Sequence, residues 1–134
     1  MRRKIMMPLV ILAFVGCAAV NKPTPEQIAS ANYGKYPDDY KEIVQRYVSR
    51  ILIDPDSAKF SEWRGPSQGY WYDYGSTFFG YRICVEVNAK NRMGGYTGRQ
   101  QYYFLIKDGL IVKTDGGYRW GTIGQERISS ACNF

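Results

Sequence analysis

From Tyr81 to Asn88 the chain alternates with period two: Tyr81, Ile83, Val85 and Val87 share one side of an extended backbone, and Arg82, Cys84, Glu86 and Asn88 share the other. A Gly-rich loop follows from Ala89 to Arg99, and Gln100 to Ile106 resumes with aromatic residues before a turn at Asp108-Gly109. The stretch through Thr114 therefore reads as a sheet meander. The rest of the chain has to cover that sheet or deliver it.

The cover comes from the clearest helical period. Tyr40, Ile43, Val44, Tyr47, Val48, Ile51 and Leu52 fall on one face, and Lys41, Glu42, Gln45, Arg46, Ser49 and Arg50 fall on the other. Asp38 and Asp39 are expected in the first turn and Arg50 near the last, as the helix dipole favours, and Asp54-Pro55 ends the segment. Such a stripe also suits a membrane surface, but a polar face with both signs of charge points instead to packing on the sheet. The expected fold class is α+β: one long amphipathic helix on a small antiparallel sheet of about three to five strands. A short C-terminal helix is expected within Thr122 to Cys132, where Thr122 and Gln125 have capping-box spacing and Ile128 and Ala131 point inward.

Upstream of the meander, Ser57 to Trp63 is a strand candidate whose apolar points are Ala58, Phe60 and Trp63. Gly65-Pro66-Ser67-Gln68-Gly69 is expected to break it, and Tyr70-Trp71-Tyr72-Asp73-Tyr74 follows. Four aromatics in five residues suit a stacking platform for sugar rings or bases, but the favoured reading is alternation between the core and a partly wet edge, as is common for strand aromatics.

The first residues read as delivery. Arg2-Arg3-Lys4, then an apolar run from Ile5 to Val15 and small residues, have the form of a secretory signal and fall short of the roughly twenty apolar residues that span a bilayer. Val15-Gly16-Cys17 resembles the lipobox of bacterial lipoproteins, with Phe14 where that family usually has Leu. The resemblance implies a signal peptide over 1–16, acylation of Cys17, and anchoring through acyl chains. Ordinary cleavage after Ala18 or Ala19, or an uncut segment, are the competing readings. Ala18 stands where inner-membrane retention usually relies on Asp, so the resemblance implies the outer membrane, facing the periplasm. Residues 17–36, interrupted by Pro23, Pro25 and Gly34, read as a tether to an α+β domain over 37–134. Within the tether, Thr24 and Gln27 have capping-box spacing with Pro25 at the first helical position, predicting two turns over Pro25 to Asn32.

Two cysteines remain beyond Cys17. Exported thiols normally oxidise, so Cys84 is expected to pair with Cys132, closing a loop of about fifty residues and pinning the tail across the sheet face opposite the helix. A metal or catalytic use is the alternative. The chain has no histidine, which removes the common zinc sets and any Cys-His nucleophile.

The loop Asn88-Ala89-Lys90-Asn91-Arg92-Met93-Gly94-Gly95-Tyr96-Thr97-Gly98, with Asp54-Pro55-Asp56-Ser57-Ala58-Lys59-Phe60 upstream, resembles a pattern recurring in small bacterial lipoproteins and envelope proteins. That resemblance brings no activity with it. The loop is either a self-satisfied hairpin connection or a binding face. In the second case Asn88, Lys90, Asn91, Arg92, Gly94, Gly95, Tyr96 and Arg99 form the candidate site, with donors suited to carboxylates, phosphates or glycan hydroxyls.

The formal charge of +6 falls to +3 once Arg2, Arg3 and Lys4 are set aside. The remaining charges are scattered singly, so nucleic acid is not an expected partner. Asp73, Glu86 and Asp108 are conceivable carboxylates for glycan cleavage, but Asp108 sits in a tight turn and Glu86 is expected to pair with Arg82. The leading expectation is a non-enzymatic structural or interaction module of the bacterial envelope with a protein partner and no cofactor. A glycan- or peptidoglycan-binding module is the alternative, and an envelope hydrolase the remoter one.

Overall fold

The computed structural model describes residues 22–117, 126 and 128–134. The signal segment, Cys17 and the Thr122/Gln125 spacing lie outside the described residues.

The fold is mixed α+β, built on one antiparallel sheet of four strands ordered β1-β2-β3-β4 as they occur in the chain: β1 (Lys59–Asp73), β2 (Ser76–Asn88), β3 (Gln100–Lys107) and β4 (Leu110–Gly116). The alternation in β2 places its two residue sets on opposite faces, and each face has its own core. On one face Ile83, Val85 and Val87 join Phe104 and Ile106 of β3 in a buried cluster. On the other, Cys84 joins Tyr103 and Leu105 of β3 with Trp71 of β1. β3 thus contributes successive residues to both cores, as the period of a strand dictates.

The first core is closed by α2 (Tyr40–Ile51), which buries Val44 and Val48 in it. Tyr47 meets Phe104 edge-on at 5.6 Å, and Tyr40 meets Trp63 at 5.8 Å. At twelve residues the helix is of average rather than great length. It begins later than the acidic pair suggests: Asp38 precedes it, Asp39 is the N-cap residue without a side-chain capping bond, and Glu42 is the acidic group of the first turn. It ends where expected, with a 3-10 turn over Pro55–Ser57 whose Asp54 side chain accepts from Ser57 N at 3.2 Å.

The second core is closed from the C-terminal side. Residues 128–131 are helical, Ile128 is buried, and a Cys84–Cys132 disulfide ties this turn to β2. Arg64 Nη1 donates to the Cys132 carbonyl at 3.1 Å and holds the same turn to β1.

Two expectations are corrected. Gly65 to Gly69 does not break the first strand; β1 continues through it with register shifts between Ser61 and Arg64 and between Arg64 and Ser67. β1 is an edge strand, so Pro66, which lacks an N–H, costs no ladder bond to a further neighbour, and the shifts turn Trp63 and Trp71 to opposite faces. The tether also joins the folded body. α1 (Pro25–Ala29) has the predicted capping box but stops after five residues. Beyond it the Tyr33 hydroxyl donates to the Ile28 carbonyl at 2.7 Å, Tyr33 packs on Phe79, Tyr36 packs on Tyr81, and Lys35 N donates to Asp108 Oδ1 at 2.9 Å. Aromatic residues at 33 and 36 bury area that a solvated tether would leave in water.

Candidate functional site

The β2–β3 loop is built by its two asparagines. Asn91 Oδ1 accepts from the backbone amides of Met93 at 2.9 Å and Gly95 at 3.2 Å, and Asn88 Oδ1 accepts from Gly98 N at 3.1 Å. Gly94 N donates to the Asn91 carbonyl, with Gly94 at φ 82°, where a side chain is disfavoured. Thr97 N donates to the Ala89 carbonyl, and Lys90 bridges to Tyr96. Asn88, Asn91 and Gly94 therefore hold the loop to itself. The candidate side chains outside these bonds are Lys90, Arg92, Tyr96 and Arg99, the last of which faces Glu86.

The segment from Asp54 to Phe60 meets the loop here. Ser57 Oγ accepts from Lys90 N at 2.8 Å, while donating to the Asp54 carbonyl at 2.8 Å. Lys59 pairs with Asn88 at the start of β1, and its ammonium lies 4.5 Å from the centre of the Tyr96 ring, with that of Lys90 at 5.6 Å. A phenol ring attracts cations through its negative face, so the two lysines hold Tyr96 upright at the loop's base. Met93 at the tip is 94% exposed. Arg99 faces Glu86 at 3.6 Å, and no ion pair among the described residues engages Lys59, Lys90 or Arg92. The face is cationic with an exposed thioether and phenol. Lys59 was missed because its strand partner, not its sequence neighbours, brings it to Tyr96.

The three conceivable catalytic carboxylates do not share a cleft. Glu86 is held by Arg99 rather than by Arg82, Asp73 faces Lys113 at 3.4 Å, and Asp108 accepts from Lys35 N. Among the described residues no group of three or more cysteines and carboxylates is placed to hold a metal ion.

The aromatic run of β1 disperses. Trp71 enters the second core, 4.8 Å from the ring of Tyr103, Tyr74 is fully exposed in the turn, and Tyr70 and Tyr72 flank a groove beside the sheet edge. Arg82 lies in that groove, donating from Nη2 to Ser67 Oγ at 3.4 Å. Burial pushes the Tyr103 phenol well above its ordinary value, while the charge of Arg82 works the other way.

Compared with known proteins, the chain matches no family model, and neither the curated proteins nor the solved structures include a significant match.

Proposed function

We propose that this protein is a lipid-anchored, non-enzymatic interaction module of a bacterial envelope, held by acyl chains on Cys17 at the periplasmic face of the outer membrane. The observation that carries the reading is the Cys84–Cys132 bond, whose cysteines are both almost wholly buried. A structural disulfide of this kind belongs to an oxidising compartment, and the apolar leader ending at Cys17 is a route to one. From Cys17 to Thr24, where the capping box begins, seven residues reach at most about 25 Å, so the domain works close to the lipid surface.

The surface offered to a partner is the loop with Lys59, Lys90, Arg92, Met93 and Tyr96. Cations without ion-pair partners around an exposed phenol and thioether suit an acidic protein surface, with Met93 supplying an adaptable apolar contact. Intact mass and fractionation of the native protein test the anchor: acylated mass in the membrane fraction supports it, and a soluble species retaining Met1 overturns it. Crosslinking from position 93 in native membranes tests the face. Lys90→Ala with Arg92→Ala should fold as the parent does and lose the crosslinked partner; an unchanged crosslink pattern refutes the assignment.

A further inference from the structure

Tyr74 is fully exposed at the β1–β2 turn, where it takes φ 44° and Gly75 follows at φ 83°. A two-residue turn with both central residues in the left-handed region is met at least cost by asparagine or aspartate before glycine, and a bulky side chain there is uncommon. Tyr74 strains its backbone and buries nothing in the protein, so folding does not account for it. Its surroundings are aromatic and almost uncharged. From Tyr70 to Tyr81 the only charged residue is Asp73, which Lys113 faces at 3.4 Å. Tyr70, Tyr72, Phe78 and Phe79 are each partly exposed. Pairing between β2 and β3 stops at Tyr81, so Ser76 to Gly80 and their partners in β1 run on as a two-stranded arm with Tyr74 at its end.

The chain that leads back to Cys17 leaves the fold at this same end. Tyr36 packs on Tyr81 at 5.3 Å and Tyr33 on Phe79 at 5.8 Å, so the N-terminal segment, followed backwards, climbs β2 toward the turn. The Tyr33 hydroxyl fastens Ile28 there, and Lys22 lines the concavity beside Tyr70 and Tyr72. Five residues carry the chain from Lys22 back to Cys17, a reach of at most about 18 Å. The cationic loop follows the opposite end of β2, a strand of thirteen residues and about 40 Å.

We propose that the Tyr74 turn is a second membrane contact, with its phenol seated among lipid headgroups beside the acyl anchor. The inference rests on the anchoring reading, which puts lipid within reach of this end of the sheet. Tyrosine suits the boundary because its ring is apolar and its hydroxyl stays wet. An arm whose one charge is already paired meets the headgroups without stripping water from a lone ion. The contact fixes the attitude of the domain, and the loop around Met93 then faces away from the bilayer, where a protein partner can reach it.

The test is photocrosslinking of the full chain, purified from membranes and reconstituted into vesicles of phosphatidylethanolamine and phosphatidylglycerol. The probes are Tyr74→p-benzoylphenylalanine and, at a site of similar exposure, Met93→p-benzoylphenylalanine. Mass spectrometry reads the lipid adducts, and the intact mass of the same sample reports acylation of Cys17. Adduct at position 74 exceeding that at 93 by about tenfold or more supports the contact, because the probes stand beyond opposite ends of a strand about 40 Å long. Equal adduct at both positions, or more at 93, overturns it. With Cys17 acylated, absence of adduct at 74 overturns this inference and leaves the anchor standing. In an unacylated chain, adduct at 74 supports the contact while the acyl anchor falls, and no adduct at either position overturns both. Tyr74→Asn should keep or raise the thermal midpoint, because asparagine suits the turn; a lower midpoint would assign the tyrosine to folding and overturn its role at the lipid.

Discussion

Cys84 and Cys132 stand 48 residues apart in the chain and 5.8 Å apart between their Cα atoms, and their bond is the covalent tie between the sheet and the C-terminal turn. Ile128 and Cys132 complete the second core only while that turn stays down. Replacing both cysteines by alanine should lower stability by about 4 kcal/mol from the unfolded-state entropy of a loop this long. Guanidinium unfolding of the parent with and without reductant, beside the double variant, measures it; coincident curves would show that the turn docks without the bond.

Phe104 is fully buried at the centre of the first core, with Tyr47 of α2 edge-on to it and Tyr102 stacked beside it at 6.2 Å. Phe104→Ala should cost about 3–5 kcal/mol, combining lost burial with the cavity left behind. The readout is the midpoint of denaturant unfolding. A cost below about 1 kcal/mol would mean that α2 collapses into the space.

The tip of the loop takes both of its backbone-to-side-chain bonds from one oxygen, Asn91 Oδ1. Asn91→Ala removes the acceptor for Met93 N and Gly95 N, both at an exposed tip where water can substitute. Global stability should fall by only about 1 kcal/mol, while amide exchange at Met93 and Gly95 accelerates about tenfold. Residue-resolved hydrogen exchange distinguishes this from a loop held by its glycines alone.

Stability should decline in alkali. Burial raises the phenols of Tyr103 and Tyr102 above their ordinary value of 10.0, with Tyr47 adding to the shift at Tyr102. A group whose folded value is raised lends stability that is fully present below the unfolded value and is lost as pH climbs through the folded one. The unfolding midpoint should therefore hold below about pH 10 and fall as pH climbs beyond it, and Tyr103→Phe should flatten that fall. An unchanged slope in the variant would assign the decline to other groups.

What was legible in the sequence was whatever a period carries. The alternation in β2 named both of its faces, the stripe from Tyr40 named the residues that close one of them, and Cys84 with Cys132 named the tie on the other. Continuity across Gly65 and Pro66 was not legible, because both residues punctuate strands in general and only an edge position excuses them. The docked segment at Tyr33 and Tyr36 was hidden by the prolines and glycine around it. The groove beside β1 was the least visible feature: Gln68, Arg82 and Tyr103 line it from three strands and share no motif. One signal was present, a lone arginine on the same strand face as Cys84, but its expected partner was Glu86, which Arg99 takes instead.

The placement of β3 between two cores has a mechanical consequence. Phe104 and Ile106 are walls of one compartment, Tyr103 and Leu105 of the other, so the polypeptide cannot shed either layer and keep the remaining one intact. Slipping β3 by one residue would exchange the contents of both compartments at once. Loosening should therefore propagate through the molecule as one all-or-none event, with no half-melted form along the way.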